Sequence, residues 1–331
     1  MIHLAVPGLL WPADSASEAV RGLALPALAT LLGRGRRDRG AAVTAERWLC
    51  EAFAVRGEEL PCGALRLLGD GGAPGGDAWL CADPVHLRIA RDTLVIDAQP
   101  PDLDEAEAAQ LVAGLNAQLG DYGEFVAPQP HRWYLRARAV PRILTHAPSA
   151  IAGRTLEPFL PAGADALPWR RLINETQVLL HNHPVNAARE AAGRPMANSL
   201  WPWGAGKLPA ASAPAPRLFA DAPLARGLAL RAGIEAAPLP ARFDAAAAPG
   251  LTYLDSLAAA AQSLDAGAWR AALAELEARW FAPALAALKA RRIASLHLTA
   301  LGDEGVVDVT MNAADAWRFW RRPLSLAALA A

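Results

Sequence analysis

The chain has 331 residues, of which 53% are hydrophobic, and a mean hydropathy of +0.15. This is enough apolar side chain for the core of one large domain or two smaller ones, and it excludes wholesale disorder. The 32 basic and 33 acidic residues give a formal charge of −1, so nucleic acid is not expected as the main partner.

Two further features of the sequence bear on location. No apolar run reaches the roughly 18 residues that a membrane span needs, and the N-terminus lacks the charge and cleavage pattern of a signal peptide. Cys50, Cys62 and Cys81 match no zinc-binding spacing, which is typical of buried thiols in a reducing compartment. We therefore expect a cytoplasmic protein with no membrane partner.

The N-terminal part of the chain predicts short alternating elements. An apolar run over residues 3–10, interrupted by proline and glycine, predicts a buried strand, and residues 23–32 have helical spacing. Arginine-rich residues 33–40 are expected to form a solvated loop, followed by a second helix at 46–53. Glycine-dense residues 69–77 predict a linker, because no strand-to-helix context marks a phosphate-binding loop there.

The pattern changes at residue 78. Strands are predicted at residues 79–82, 93–97, around 125 and at 133–137, with a helix at 104–119 whose apolar residues recur at helical spacing. Strand, strand, helix and strand in this order indicate a compact α+β lobe.

The C-terminal part predicts helices and one hairpin. Helices are expected at 167–180, 252–264 and 266–291, with a proline-rich linker after Pro209. Residues 294–301 form a strong strand pattern, and 305–310 is its expected hairpin partner.

The densest group of polar residues lies between residues 181 and 209. Arginine, asparagine and backbone amides beside glycine suit an anion such as phosphate or carboxylate, and nearby tryptophans can close a pocket to solvent. The candidate ligand-binding residues are His183, Asn186, Arg189, Asn198, Trp201, Trp203, Gly204, Gly206 and Lys207. The alternative is a loop that packs the tryptophans into the core and uses the asparagines as caps.

Asp83 and His86 form a second candidate site, as an acid–base pair or as two ligands. The alternative places Asp83, which precedes a proline, at the start of a helix. His297 lies in an apolar strand and is expected to be a core histidine with its hydrogen bonds satisfied. Asp303 and Glu304 are ligand candidates at the end of that strand, but they equally suit an ordinary turn.

Residues 183–206 resemble a stretch of the cofactor-independent phosphoglycerate mutases of the archaeal type, in the alkaline-phosphatase superfamily. The stretch reads His-Pro-Val-Asn, an arginine three residues later, Gly-Arg-Pro, and then Ala-Asn-Ser-Leu-Trp-Pro-Trp-Gly-Ala-Gly. The resemblance implies an α/β fold with a three-layer alkaline-phosphatase-like core and an inserted α+β lobe. It further implies that residues 1–77 and 146–331 form the core and residues 78–145 the lobe.

The chain departs from these enzymes where the resemblance places their catalytic residues. They carry a metal-binding Asp-Gly after the first strand, where this chain has Pro7-Gly8. They carry a nucleophilic serine further along, but residues 50–68 contain no serine, and Ser263–Ala268 replaces a histidine-rich metal motif. A two-metal phosphotransferase needs carboxylate and imidazole ligands with a nucleophile between the metals. The nearest hydroxyl, Thr44, is expected to be a helix N-cap.

These departures predict a catalytically degenerate mutase relative with no bound metal or cofactor. It is expected to bind a small phosphorylated or carboxylated metabolite and to act in regulation, and the whole-length pattern resembles a bacterial group of mutase relatives known as RpfE-type regulatory proteins. One alternative is an active mutase or other phosphomonoester-handling enzyme that uses Asp83, His86, His181 and His183. Another is a protein that only binds partners, through an exposed apolar patch.

Overall fold

The computed structural model describes residues 2–90, 93–97, 99–246 and 249–330. Its contacts divide the chain into two compact units. Met1–Phe53 and Ala213–Ala331 form the first, which we name the core unit, and Ala54–Ser212 forms the second, the lobe unit. Within the described part of the chain, no helix is long and apolar enough to cross a membrane.

Strands and helices follow one another along the chain. The strands are β1 (Ile2–Pro7), β2 (Arg36–Gly40), β3 (Ala78–Val85), β4 (Leu87–Ala90), β5 (Thr93–Ile96), β6 (Gly123–Gln129), β7 (Arg132–Ala137), β8 (Ser199–Gly206), β9 (Arg217–Phe219), β10 (Glu235–Ala237), β11 (Gly250–Tyr253), β12 (Ser295–Gly302) and β13 (Gly305–Asn312). The α-helices are α1 (Ala16–Ala19), α2 (Pro26–Arg34), α3 (Ala45–Ala52), α4 (Cys62–Gly69), α5 (Glu105–Leu119), α6 (Pro148–Ile151), α7 (Ala166–His181), α8 (Pro184–Ala191), α9 (Pro223–Arg231), α10 (Ala258–Gln262), α11 (Ala266–Leu276), α12 (Ala282–Lys289) and α13 (Ala327–Ala330). A π-helical turn at Glu277–Phe281 joins α11 to α12, and short 3-10 turns lie at Glu157–Phe159, Asp255–Leu257 and Asp315–Trp317.

The core unit is built on a mixed sheet. Among the described residues this sheet has seven strands, in the order β10-β9-β11-β1-β12-β13-β2. β1 runs parallel to both β11 and β12, whereas β13 runs antiparallel to β12 and β2. The N-terminal strand therefore lies between two strands from the C-terminal part of the chain.

The two faces of this sheet differ because successive side chains of a strand point to opposite sides. Leu4, Leu298 and Val309 lie on one face, in an apolar core that also includes α2, α11 and α12. His3 lies on the other face, where its ring meets that of Trp48 in α3 with the ring centroids 5.7 Å apart. Helices thus cover both faces, and the predicted three-layer α/β core is confirmed.

The lobe unit contains a second, antiparallel sheet. Its strands lie in the order β6-β7-β3-β8, and Leu80, Trp133 and Leu200 from these strands share an apolar core with α5 and α7. Helix α4 packs on β3 at very short range: a Cβ atom at Gly63 would lie 2.6 Å from the Cα of Leu80. β4 and β5 form a separate two-stranded hairpin.

The boundaries of the lobe differ from the predicted 78–145. The lobe unit begins at Ala54, because α4 packs against β3, and ends at Ser212, because β8 pairs with β3 in the same sheet. Residues 54–77 and 146–212, which the sequence places in the core, therefore fold with the lobe.

Two local predictions are wrong. Residues 36–40 form strand β2 rather than a loop, because the backbone groups on one edge of this segment hydrogen-bond to β13. Every side chain of β2 is nevertheless exposed. Its charged side chains lie at the edge of the sheet, where charge discourages further strand pairing. The predicted helix 252–264 is divided, since β11 extends to Tyr253 and pairs with β1, and α10 begins only at Ala258.

A buried carboxylate fixes the start of α2. Pro26 occupies the first helical position and has no N–H, so the N–H groups of Ala27 and Leu28 are the first that need acceptors. Glu277 supplies both, with Oε1 accepting from Ala27 at 2.6 Å and Oε2 from Leu28 at 3.0 Å. Its negative charge also complements the positive end of the helix dipole.

We expect Glu277→Ala to lower the free energy of unfolding by about 1–3 kcal/mol, because two buried N–H groups lose their acceptor. The matched control is Glu275→Ala, which removes an exposed carboxylate paired with Arg279 and should change stability by less than about 0.5 kcal/mol. Urea denaturation followed by circular dichroism measures both. Equal, small losses in the two variants would contradict the capping role.

Candidate functional site

The segment between residues 181 and 209, predicted to form an anion pocket, folds into regular structure. His183 is the N-cap of α8, and Ser199–Gly206 forms β8, which is buried along its whole length. Trp201 lies opposite Asp83 of β3 in the sheet, and Lys207 is exposed just after the strand. The tryptophans and glycines therefore belong to a buried strand rather than to a loop over a pocket.

Gly204 and Gly206 allow close packing of the lobe unit. Gly204 has a φ of +70°, and a Cβ atom there would lie 2.7 Å from the Cβ of Cys62 at the start of α4. A Cβ atom at Gly206 would lie 2.6 Å from the Cβ of Pro61. Any larger residue would push the start of α4 away from β8, so these glycines have a steric role.

Asp83 forms a bidentate pair with a buried arginine. Arg66 donates from Nη1 to Oδ2 at 2.8 Å and from Nη2 to Oδ1 at 2.6 Å, and the indole of Trp203 donates to Oδ2 at 2.8 Å. The guanidinium carbon lies 4.8 Å from the ring centre of Tyr134 and 5.3 Å from that of Trp203. Two charges that are 10% and 11% exposed are tolerated only with partners of this quality.

A second carboxylate extends this network. The hydroxyl of Tyr134 accepts a hydrogen bond from Arg66 and donates one to Asp70 at 2.5 Å, while Arg132 donates to Asp70 at 2.9 Å. Burial raises the pKa of Tyr134 far above its ordinary value, so the phenol stays protonated and can donate. The network joins α4, β7 and β3 within the lobe unit.

His86 and Asp83 do not form the predicted acid–base pair. The Nδ1 atom of His86 lies 2.8 Å from the carbonyl oxygen of Met196, whereas Asp83 is held by Arg66. The alternative interpretation of Asp83 as a helix cap is also wrong, because β3 runs through it.

Buried Asn186 and half-buried Asn198 both bond to backbone groups. Asn186 donates to the carbonyls of Leu180 and Ala197, both at 2.8 Å, and accepts from the N–H of Ala197 at 3.0 Å. Asn198 accepts from the N–H of Leu87 at 2.7 Å and donates to its carbonyl at 2.8 Å. Each amide supplies hydrogen bonds to backbone groups that have no partner in a strand or helix. This is the capping role that the asparagines have in the alternative interpretation of the segment as a packing loop.

Arg189, of which 1% of the side chain is exposed, ties α8 to the start of α5. Its Nε donates to the carbonyl of Pro195 at 2.8 Å, Nη1 donates to Glu107 at 2.7 Å, and Nη2 donates to Asp102. The hydrogen bond from Arg189 lowers the pKa of Asp102. Every nitrogen of the guanidinium has a partner within the protein, so the structure gives Arg189 a packing role.

His183 lies at an open groove of about 660 Å³ in the lobe unit. The groove also takes in Gln118, Asn174, Glu175 and Asn182. The Nδ1 atom of His183 accepts a hydrogen bond from the N–H of Val185 at 3.3 Å. Among the predicted ligand-binding residues, His183 thus lies at a cavity together with other polar side chains.

The end of β1 is closed by packing. Pro7 is its last residue, and Gly8 follows with a φ of +76°, where an added Cβ atom would lie 2.9 Å from the carbonyl oxygen of Leu257. The carbonyl of Gly8 accepts a hydrogen bond from the indole of Trp269 at 2.7 Å. Neither Pro7 nor Gly8 carries a side-chain atom that could ligate a metal ion at the end of β1.

The turn between β12 and β13 borders a smaller pocket. Asp303 and Glu304 form the turn, and the pocket of about 220 Å³ beside it is also lined by Trp11 and Arg39. Glu304 accepts a hydrogen bond from the N–H of Ala13 at 3.1 Å.

A cluster of titratable side chains on the core sheet lies outside the predicted sites. The rings of His3 and His297 stack with centroids 4.0 Å apart, and Nε2 of His297 lies 2.9 Å from Oδ1 of Asp308. Burial and then the neighbouring His297 lower the pKa of His3 to about 3, while the hydrogen bond from His297 lowers that of Asp308. His3 and His297 lie at opposite ends of the chain, and only the β1–β12 pairing brings them together.

Part of the lobe unit is similar in sequence to known proteins. Residues 63–186 match the family model described as 2,3-bisphosphoglycerate-independent phosphoglycerate mutase. The chain is 30% identical over 124 residues to the 2,3-bisphosphoglycerate-independent phosphoglycerate mutase 2 of Methanothermobacter thermautotrophicus, which covers 37% of this chain and 31% of that protein. It is 31% identical over 137 residues to the mutase of Methanosarcina barkeri, which covers 39% and 34%. The chain thus spans about a third of the length of the curated relatives it matches.

These sequence matches confirm the resemblance to phosphoglycerate mutases over the matched residues. Among solved structures, the chain is similar to the cofactor-independent phosphoglycerate mutase of Thermoplasma acidophilum, with 18% identity and a TM-score of 0.49, over 94% of this chain and 89% of that one. The matched residues 63–186 lie within the lobe unit, whereas Pro7 and residues 263–268 lie outside them.

Arg189→Ala separates the two interpretations of the 181–209 segment. We expect the variant to lose about 1–3 kcal/mol of unfolding free energy, because the carbonyl of Pro195 and the carboxylate of Glu107 lose a donor. Arg194→Ala is the matched control, since Arg194 contacts Asp102 and Glu107 but its side chain is 39% exposed, and it should cost about 0–1 kcal/mol. Thermal and urea unfolding measure both, and an unchanged stability of Arg189→Ala would argue for ligand binding instead.

Proposed function

We propose that this protein is a catalytically degenerate relative of the phosphoglycerate mutases that binds a small phosphorylated or carboxylated metabolite and acts in regulation. The observation that carries the proposal is the end of β1. Pro7 and Gly8 stand where the resemblance places a metal-binding Asp-Gly, and Leu257 and Trp269 pack closely on Gly8. A proline side chain cannot ligate a metal ion, so the chain supplies no side-chain ligand for a catalytic metal ion at this position.

The hydroxyl groups in the part of the sequence where the resemblance places the nucleophile support the same proposal. Residues 50–68 contain no serine, and the side chain of Thr44 accepts a hydrogen bond from the N–H of Arg47 as the N-cap of α3, as predicted. Transfer through a phosphorylated enzyme needs a hydroxyl nucleophile held at the metals. Thr44 is instead committed to a helix terminus.

The rival proposal of an active enzyme has less support. Its catalytic set was Asp83, His86, His181 and His183, and an acid or base must come within hydrogen-bond reach of the substrate. The carboxylate of Asp83 is occupied by Arg66 and Trp203, and His86 contacts a backbone carbonyl. These contacts favour packing roles for the first two residues of the set.

The groove beside His183 is the place in the lobe unit that best supports metabolite binding. At about 660 Å³ it falls within the range of small-molecule sites. Amide groups of Gln118, Asn174 and Asn182 line it, and Glu175 there accepts hydrogen bonds from Arg171 and Tyr122. Amide and imidazole N–H donors at a groove suit the oxygen atoms of a phosphate or carboxylate group.

The catalytic part of the proposal is tested by assay. Purified protein supplied with Mg²⁺, Mn²⁺ or Zn²⁺ should show no interconversion of 2- and 3-phosphoglycerate, since the acceptor hydroxyl and the β1 carboxylate are missing. An archaeal mutase measured in parallel shows that the assay works. Turnover that survives stringent purification and disappears in Thr44→Ala would show that the enzyme is active.

The binding part is tested by ligand-induced stabilisation. A phosphorylated three-carbon acid at 100 times its dissociation constant should add about 2.7 kcal/mol to the unfolding free energy. His183→Ala should abolish this gain, whereas His181→Ala, an exposed histidine on the preceding helix, should keep it. Thermal shift measures all three proteins, and the absence of any response in the wild type would contradict metabolite binding.

A further inference from the structure

The second face of the core sheet carries polar side chains in two neighbouring rows. Directly paired residues on adjacent strands share a face of the sheet. The strand register places one row across β1, β12, β13 and β2 as His3, His297, Thr310 and Arg36, and the next row as Ala5, Thr299, Asp308 and Asp38. Two imidazoles and two carboxylates therefore occupy four strands in a patch two rows wide.

Four of these side chains converge on one point. Nε2 of His3 lies 2.8 Å from Oγ1 of Thr299, and Nε2 of His297 lies 2.9 Å from Oδ1 of Asp308. The hydroxyl of Thr299 in turn donates to Oδ1 of Asp308 at 2.5 Å. One nitrogen from each histidine and one oxygen of Asp308 lie within 4.8 Å of one another.

The electrostatics of the patch favour a cation. Asp308 and Asp38 are directly opposite each other on β13 and β2, and like charges in this position destabilise a sheet. Arg36 pairs with Asp38 at 3.4 Å, but both side chains are largely exposed, so the pair offsets little of the repulsion. A positive charge held between the histidines and Asp308 would remove it.

We infer that His3, His297 and Asp308 form a binding site for a divalent transition metal ion of the zinc type. Imidazole nitrogen and carboxylate oxygen are ordinary ligands of such ions. The side chains of His297 and Asp308 are 21% and 39% exposed, which gives the ion a path of entry and leaves a coordination position open to water or a ligand. The hydrogen bonds through Thr299 and Asp308 bring the two Nε2 atoms to the same carboxylate.

Binding requires a small rearrangement. With metal–ligand bonds of about 2.0–2.2 Å, the ligand atoms of a tetrahedral site lie about 3.4 Å apart. The wider spacings, of up to 4.8 Å, must therefore contract, and the 2.9 Å hydrogen bond between His297 and Asp308 must open. The hydrogen bond between Nε2 of His3 and the hydroxyl of Thr299 is also lost. Trp48, whose ring meets that of His3 edge-on, limits how far that ring can turn.

This site is separate from the one that the mutase resemblance implies. The expectation that the chain binds no metal rests on Pro7 at the end of β1 and on the missing histidine-rich motif at residues 263–268. His3 instead lies in the second position of β1, on the sheet face. The inference does not depend on the proposed metabolite binding, because the groove beside His183 belongs to the lobe unit.

The test uses full-length protein without a polyhistidine tag, treated with EDTA and desalted. Isothermal titration with Zn²⁺ and metal analysis after a second desalting should give one ion per chain. Co²⁺ used as a spectroscopic probe should show the intense visible absorption of a low-coordinate nitrogen and oxygen site. Failure of the wild type to retain one Zn²⁺ per chain would overturn the inference.

Variants locate the ion. His297→Gln and Asp308→Asn should each weaken Zn²⁺ binding by at least about tenfold, because even groups that only support a ligand are worth 10–100-fold. His181→Gln, an exposed histidine in the lobe unit, is the matched control and should bind as the wild type does. Unchanged uptake by the His297→Gln, Asp308→Asn double variant would place the ion elsewhere and refute the site.

A measurement on the wild type alone guards against misfolded variants. Nitrogen-15 NMR of the histidine rings should show that two imidazoles, and not the others, change on addition of Zn²⁺. Circular dichroism in EDTA shows whether each variant keeps the native fold. Shifts confined to histidines other than His3 and His297 would equally overturn the assignment.

Discussion

The register of β1 between β11 and β12 is the constraint on which the core unit depends. Because side chains alternate along a strand, a slip of one residue would move Leu4 to the polar face and His3 into the apolar core. In the observed register, Leu4 pairs with Leu298 and His3 pairs with His297. The burial of Leu4 and its neighbours against α2, α11 and α12 thus places the two histidines side by side on the opposite face.

The lobe unit buries two arginine side chains, each paired with a carboxylate. Arg66 and Arg189 are both buried, and each pairs with a carboxylate from another element of the lobe unit, Asp83 of β3 in one case and Glu107 of α5 in the other. Removing one partner of such a pair costs far more than the pair itself contributes. Asn186, Asn198 and Arg189 of the 181–209 segment are therefore explained by packing, whereas His183 lies at the groove.

Sequence patterns predict the elements that depend on local information. The apolar residues at helical spacing predict α5, and the turn at Asp303 and Glu304 predicts the β12–β13 hairpin. Strand β8 is missed because its tryptophan, proline and glycine residues resemble a loop, and its strand character comes only from pairing with β3. Partners such as Arg66 for Asp83, or His3 for His297, cannot be found from the sequence, since no local pattern links them.

The position of the histidine pair along β1 decides what a metal ion there could do. His3 and Pro7 are four residues apart on the same strand, which corresponds to about 13 Å at a rise of about 3.3 Å per residue. An ion bound by His3 and His297 is thus too far from the end of β1 to polarise a group held there, since Lewis-acid catalysis needs direct coordination. Metal binding at the sheet face is therefore compatible with the proposed loss of mutase chemistry at the strand end.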